Sequence, residues 1–380
     1  MSSGIRVQKG LEGVYVTESA ISFIDHERGA LYYSGYDVRE LVERSRYEEV
    51  VFLLLNRRLP TAKEYDAHVR ELVSNMRLGD HHLNFIKSFV PKMDPLSILA
   101  SLMIIEGSGR QGGDPSDTSS AVRAVGRMGA FFSTIVRLKL GFDYIPPRSD
   151  LGFVENMLYM IRGKPPGSEE SAILDDLLIL HAEHGIPAST FACLVAASTL
   201  SDLFSSIAAG VLALKGPLHG GASEASYRQA LEIGDPARVP EWVEEALRSK
   251  RKIMGFGHRV YKTYDPRALI VKEIIRRLED RLSQEGKIIL RVTQALEEYG
   301  EKKLANRGIY PNVDLWTPIV YRALGLPDDT FTPLFAVSRT AGWAAHILEY
   351  WTDNKLIRPL HLYTGDKLKQ YVPIELRTGS

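Results

Sequence analysis

From residue 37 to about residue 215 nearly every segment of the chain carries helical periodicity, and this limits the fold more than any other feature. Asp37 stands where an N-cap belongs, and Val38, Leu41 and Val42 recur behind it at helical spacing. Thr61-Ala-Lys-Glu64 has the capping-box pattern, a hydroxyl followed three residues later by an acid. Pro60, Pro95, Pro146-Pro147 and Pro165-Pro166-Gly167 punctuate the run. Residues 188–214, rich in Ala, Ser, Thr and Val, are apolar all round, which predicts one or two buried helices at the centre of the protein or at a subunit contact. Residues 241–252, 268–299 (with a break at Gly286) and 329–350 also read as helices, and the tail 356–380 as extended or loop. Ahead of the helices, the β-prone runs Val14-Tyr-Val-Thr, Ala20-Ile-Ser-Phe-Ile and Ala30-Leu-Tyr-Tyr are separated by turn formers. The expectation is a mainly α fold with a small N-terminal β region.

A chain of 380 residues is long for one core, so two lobes are expected: a large helical one from 1–216 and 326–380, and a smaller one from 217–325. Lys+Arg and Asp+Glu balance at 47 each, which argues against nucleic-acid binding, where a basic excess is usual. No run approaches the ~18 apolar residues of a membrane span, and Met-Ser-Ser-Gly-Ile-Arg lacks a secretory pattern, so a cytoplasmic setting is expected. The single Cys193 excludes an intrachain disulfide, and its apolar flanks predict a packing role. The low total of 7 Asn and 6 Gln hints at a thermophilic source.

Three stretches carry chemistry. They read Lys215-Gly-Pro-Leu-His219-Gly-Gly-Ala-Ser-Glu-Ala, Ile253-Met-Gly-Phe-Gly-His258-Arg-Val-Tyr-Lys262, continuing to Asp265-Pro-Arg267, and Asn312-Val-Asp314-Leu-Trp-Thr. Each sets one proton-transfer residue beside Gly or Pro turn chemistry, and two imidazoles with one carboxylate suit carbon-acid chemistry next to a carbonyl. His219 lies just ahead of a helix beginning near Ala222, whose N-terminus disfavours imidazolium. A neutral imidazole donates a hydrogen bond to a carbonyl as it becomes an enolate. Asp314, between Val313 and Leu315-Trp316, is in a setting that raises a carboxylate above its usual ~3.9 and makes it a better base. Arg267, Arg339 (opening the helix of Ser338-Arg-Thr-Ala-Gly-Trp-Ala) and Arg358 are the forks that would suit a dicarboxylate if they converge, which the sequence leaves open. Taken singly, each of these residues is more often structural than functional; it is the combination with its flanks that carries weight.

That combination resembles the shorter, prokaryotic-type citrate synthases over almost the whole chain. The resemblance implies that Asp314 removes a methyl proton from acetyl-CoA, that His219 stabilises the enolate, and that His258 polarises and protonates the ketone of oxaloacetate; hydrolysis of citryl-CoA then gives citrate and CoA. It further implies that His184, His219, His258, Arg267 and Arg339 bind oxaloacetate, with Arg358 donated by a second subunit of an obligate homodimer. The CoA-binding region it implies comprises Arg251, Lys252, Ile253, Met254, Gly255, Phe256, Gly257 and Lys262. The smaller lobe would close over substrate and exclude water. No cofactor or metal is implied, acetyl-CoA being a substrate. Two departures stand out: Pro187 where many relatives have Asn before Ala-Ser-Thr, and Ser223 where many read Gly-Gly-Ala-Asn-Glu.

Other signals are weaker. Gly107-Ser-Gly-Arg-Gln-Gly-Gly113 lacks the Lys-Ser/Thr of a phosphate loop and reads as a surface loop. His181 with His184, or Asp80-His81-His82, would suit an all-α metal-dependent hydrolase, but neither shows a full ligand set. His26, His68, His346 and His361 have no chemical context. A 2-methylcitrate synthase using propionyl-CoA is the nearest rival, since one methylene is worth only ~1–3 kcal/mol in a pocket. A silent relative acting as a binding protein has no chemical need of His219, His258, Asp314 and the arginines.

Overall fold

The computed structural model describes residues 7–26, 28–257 and 264–377. The chain is mainly helical, with one three-stranded antiparallel sheet near the N-terminus. Strands Ser22–Asp25, Ala30–Tyr33 and Tyr36–Asp37 lie in chain order, with Ser22 opposite Tyr33 and Ile24 opposite Leu31. The pleat sends Leu31 and Tyr33 into the core, while Phe23 and Tyr32 stack on the other face. The β-prone run at residues 14–17 forms no strand. Tyr15 stands fully out in solvent, and strand propensity without a partner edge does not make a sheet.

Asp37 caps the first helix, Val38–Arg44, by accepting the Arg39 N–H at 2.8 Å, and the capping box at Thr61 and Glu64 opens Ala62–Asn75. Residues 188–214 divide into two helices, Ala188–Ser198 and Leu203–Leu214, packed on each other. The helix Phe331–Trp351 is the hub. It is buried on nearly every side and touches Tyr47–Asn56, Thr118–Lys139, Ser168–His181 and both of the helices just named. An apolar helix with no polar face is stable only in such surroundings. Cys193 is wholly buried against Gly210, and burial pushes its thiol far above the usual range, so it packs and does not react.

Helices Ala222–Ile233, Val239–Arg248, Pro266–Leu278, Gln284–Leu304 and Thr317–Ala323 pack on one another. Gly286 does not break the last long helix of this group. It sits in the first turn of Gln284–Leu304 with its N–H on Ser283 Oγ, and the break falls earlier, at the 3-10 turn Glu279–Arg281. Likewise Val239–Arg248 stops short of residue 252, where Lys250 takes a left-handed conformation. Arg277 pairs with Asp176 at 3.2 Å, and Arg281 with Glu169, tying Pro266–Leu278 and its following turn to Ser168–His181. Beyond Trp351 the described residues form no strand, and their one short helix is the 3-10 turn Ile374–Leu376. Among the described residues no helix is long and apolar enough to cross a membrane.

Gly342 lets the hub helix touch the turn that follows Ser168–His181. A Cβ there would lie 2.3 Å from Glu183 Oε2 and 2.5 Å from Ala182 O, too close without displacement. Gly342→Ala is expected to destabilise the fold by about 1–3 kcal/mol, read as a lower melting temperature by scanning calorimetry. An unchanged melting temperature would mean that the close approach is not required.

Candidate active site

His219 lies in the turn between Leu203–Leu214 and Ala222–Ile233, half-buried, with its N–H on Gly216 O at 2.9 Å. Its Nε2 is met by the Ser189 backbone N–H at 3.3 Å and by Ser189 Oγ at 2.8 Å. Ser189 Oγ in turn accepts from Trp343 Nε1 at 3.3 Å. A backbone N–H can only donate, so Nε2 carries the lone pair, Ser189 Oγ–H also donates to it, and the ring proton sits on Nδ1. Burial, assisted by the charge of Arg339, pushes the imidazole down to about 4, so it is neutral at pH 7. The N–H that fixes the ring therefore belongs to the helix Ala188–Ser198, not to the helix following His219. Pro187, the departure noted above, is the N-cap of that helix and offers no side-chain cap.

Asp314 sits in the short turn Val313–Leu315, and its N–H is held by Asn312 Oδ1 at 3.0 Å. Ser223 Oγ donates to its Oδ1 at 2.6 Å. Burial raises the carboxyl above its ordinary value; Ser223 and Arg267 oppose the rise and Asp265 adds to it. The turn is locked to residues 253–257. Gly257 N donates to Tyr310 O at 2.8 Å, Asn312 N to Gly255 O at 2.9 Å, and Asn312 Nδ2 to Gly257 O at 2.8 Å. Gly255 has φ 82, and a Cβ there would lie 2.7 Å from Leu315 Cβ, so this contact demands glycine. From the other side Gln229 grips Met254 through both its N–H and its carbonyl. Ile253 and Phe256 are buried, and Lys252 is exposed yet acts electrostatically on Asp314. Arg251 forks onto Glu232 and lies 4.9 Å over the Trp242 ring. His258 and Lys262 lie outside the described residues.

Two guanidiniums are buried nearby. Arg267, 4% exposed, forks onto Asp265 at 3.1 and 2.8 Å, and Asp265 also takes the Val313 N–H. Arg339, 2% exposed, lies mid-way along Phe331–Trp351 and does not open a helix; its Nε donates to His181 O at 2.7 Å. Burial lowers Arg339 to about 10, which leaves it charged, and Arg267 pushes in the same direction. Both arginines act on His181, and both act on Asp314 or are acted on by it. His181 donates Nδ1–H to Leu177 O at 2.8 Å; its buried Nε2 has no hydrogen-bond partner among the described residues, and burial pushes the ring down to about 3, so it is neutral at pH 7. His184 is buried in the turn after Ser168–His181. Arg358 is on the exposed tail.

That turn is braced by residues the sequence reading left out. Glu183 Oε1 accepts from Ser22 Oγ at 2.9 Å, from His346 Nε2 at 2.9 Å and from Gly185 N. Burial pulls the His346 ring down, but the Glu183 carboxylate outweighs it and raises the ring above its ordinary pKa. Tyr33 OH accepts the Glu183 N–H at 3.2 Å, and its one proton is shared between Ile179 O, at the end of the preceding helix, and Glu183 O, each at 3.0 Å. The N-terminal sheet thus anchors the segment bearing His184. His82 is instead engaged by Glu106, and among the described residues no group of three or more His, Cys, Asp or Glu could hold a metal ion.

A family model for the citrate synthase C-terminal domain matches residues 10–360. The citrate synthase of Saccharolobus solfataricus is 40% identical over 98% of this chain and 99% of its own length. The crystal structure of citrate synthase from Thermotoga maritima superposes with a TM-score of 0.89 at 41% identity, covering 98% of this chain and all of that one. The enzyme of Thermoplasma acidophilum, solved as a ternary complex with carboxymethyl-CoA and oxaloacetate, gives 0.94 at 36% identity over 98% of this chain and 100% of its own. Matched in sequence and in fold over nearly all of its length, the chain belongs to the citrate synthase family.

Proposed function

We propose that this chain condenses acetyl-CoA with oxaloacetate and water to give citrate and CoA, with Asp314 and His219 acting as a pair on the methyl and carbonyl of the thioester. The observation that carries the reading is their contrast: one burial makes the imidazole a neutral donor and the carboxyl a stronger base. Asp314 takes a proton from the methyl carbon while His219 Nδ1–H hydrogen-bonds the thioester oxygen, giving an enolate without a free carbanion. The enolate carbon attacks the ketone of oxaloacetate, whose oxygen receives its proton from His258, a role that rests on the family resemblance. Water then cleaves citryl-CoA to citrate and CoA. Arg267 and Arg339 receive the carboxylates of oxaloacetate, and His184 its ketone end. The Thermoplasma acidophilum relative, solved with oxaloacetate and a CoA derivative, supports this choice of substrates.

Further parts of the reading concern assembly. Ile104, Ile105, Val195, Leu200 and Leu212 are exposed on or beside the mutually packed helices Pro95–Gly107, Ala188–Ser198 and Leu203–Leu214. The tail adds exposed Leu360, Leu368, Tyr371 and Ile374. Apolar surface on this scale suits a homodimer, with the tail laid on the partner and Arg358 completing its oxaloacetate site. Residues 217–325 act as the smaller lobe closing on 1–216 and 326–380. Lys252 and Lys262, with the backbone of 253–257, meet the anionic groups of CoA; Arg251 reaches them only by leaving Glu232. The bacterial and archaeal relatives support a cytoplasmic setting.

Release of free CoA on adding oxaloacetate tests the reaction, with acetyl-CoA and propionyl-CoA in parallel and with chelator in one arm. Chelator-resistant release favouring acetyl-CoA is expected; a strong propionyl-CoA preference would move the reading to 2-methylcitrate synthesis. Asp314→Asn is expected to lower kcat by about 10²–10⁴-fold with oxaloacetate binding by calorimetry nearly unchanged, and near-normal turnover would sink the proposed base. Arg358→Ala is expected to weaken oxaloacetate by roughly 10-fold or more while sedimentation still reports a dimer. Unaltered affinity in that variant would end the composite-site reading.

A further inference from the structure

Asp314 has two oxygens, and they are not equivalent. Oδ1 receives the Ser223 hydroxyl at 2.6 Å; Oδ2 has no hydrogen-bond partner among the described residues. Ser223 is itself buried, 5% exposed, in the first turn of Ala222–Ile233, and its Oγ lies 3.2 Å from Thr317 Oγ1. A serine has one hydroxyl proton. Since a carboxylate can only accept, that proton goes to Asp314, and Thr317 must then donate to Ser223. Thr317 is wholly buried at the start of Thr317–Ala323. The order Thr317 to Ser223 to Asp314 is thus fixed by proton count, and the three residues come from three different elements.

We propose that Ser223 is a positioning residue for the proton abstraction: with Thr317 behind it, it pins Oδ1 and leaves Oδ2 as the atom that takes the methyl proton of the thioester. The proposal rests on the reading of Asp314 as the base. Asp314 also feels Arg267 and Asp265 at the start of Pro266–Leu278, Lys252 ahead of the 253–257 loop, Tyr321 on Thr317–Ala323 and Arg339 on the hub helix. Of the groups favouring its ionised form, Ser223 acts most strongly, ahead of Arg267, whose charge is offset by its fork onto Asp265. Ser223 therefore sets both the rotamer of the base and the lower edge of its working pH range. An asparagine at this place would also offer a donor, its amide N–H.

The sign of the effect follows from which form is stabilised. A hydrogen bond to the carboxylate lowers its proton affinity, so removing the donor raises it, and the acid side of the kcat–pH profile moves to higher pH. A charge-assisted hydrogen bond of this kind corresponds to a shift of about 1 pH unit, or tenfold in proton affinity. The experiment measures kcat against pH in the full-length protein with acetyl-CoA and oxaloacetate, for wild type, Ser223→Ala, Ser223→Asn and Thr317→Val. Ser223→Ala is expected to move the acid limb up by about 1 unit and to lower kcat, with KM for acetyl-CoA changed by no more than about twofold. Ser223→Asn is expected to bring the limb back, and Thr317→Val to move it less in the same direction as Ser223→Ala. Thr317→Val also serves if Ser223→Ala does not fold. An acid limb unmoved in the folded variants, or moved equally in the Ala and Asn variants, overturns the proposal. Asp314→Asn run alongside separates the two levels: turnover surviving there removes the base reading itself, whereas loss of turnover there with an unmoved limb in Ser223→Ala removes only the role of Ser223.

Discussion

A guanidinium buried in the middle of an apolar helix is the constraint on which the rest of this structure depends. Arg339 is almost wholly removed from water, and an uncompensated charge there would cost several kcal/mol. The compensation comes from a distant part of the chain: the carbonyl of His181 and the carboxylate of Glu183. Glu183 is in turn held by His346 on the same hub helix and by Ser22 on the first strand. The hub helix, the turn after Ser168–His181 and the N-terminal sheet therefore form one electrostatic unit, and Gly342 gives the helix room to reach that turn. Arg267 pushes Arg339 down, and both push His181 down, a repulsion that the proposed dianionic substrate would relieve.

Around that unit, one physical cause has two opposite chemical results. Desolvation disfavours the charged form of any group, so it lowers His219 and raises Asp314. A thioester methyl is a weak acid, and its removal as a proton calls for a base of raised strength with a donor that is not itself an acid at neutral pH. For the proposed reaction the fold would supply both by burial and then correct each with hydrogen bonds: Ser189 fixes the tautomer of His219, and Ser223 holds one oxygen of Asp314. The paired backbone of 255–257 and 310–312 holds the base in register with the loop leading to residue 258.

The sequence made the proposed reacting groups legible because their surroundings leave local marks. His219 and Asp314 stand among Gly, Pro and Asn residues that only turns require, and the helical periodicity ahead of them is strong enough to be read without a structure. What supports those groups was not legible, because each support is a contact between distant positions. Trp343 reaches Ser189 across 154 residues, His346 reaches Glu183 across 163, and Ser223 reaches Asp314 across 91. His346 gave no sequence signal at all, and His181 read as a metal candidate, although its Nδ1 is spent on its own helix. Ser223 was visible only as a departure from a family pattern, with no hint that it touches the base. The strand expected at residues 14–17 failed for the same reason: pairing is decided by what lies alongside, and nothing in the run itself says that no edge will be there. Gly286 was read as a helix break from its backbone freedom, yet a first-turn position with a Ser283 cap accommodates it.

The most direct test of the account is calorimetric titration of the protein with oxaloacetate and, separately, with pyruvate, in the absence of any thioester. The two ligands share the 2-keto acid group and differ in the second carboxylate. If the buried arginines form a dicarboxylate site, oxaloacetate binds at least ~10–100-fold more tightly than pyruvate, the value of a charge-assisted hydrogen-bonding group in such a setting. Equal affinities, or no binding of oxaloacetate, would contradict the account at its centre.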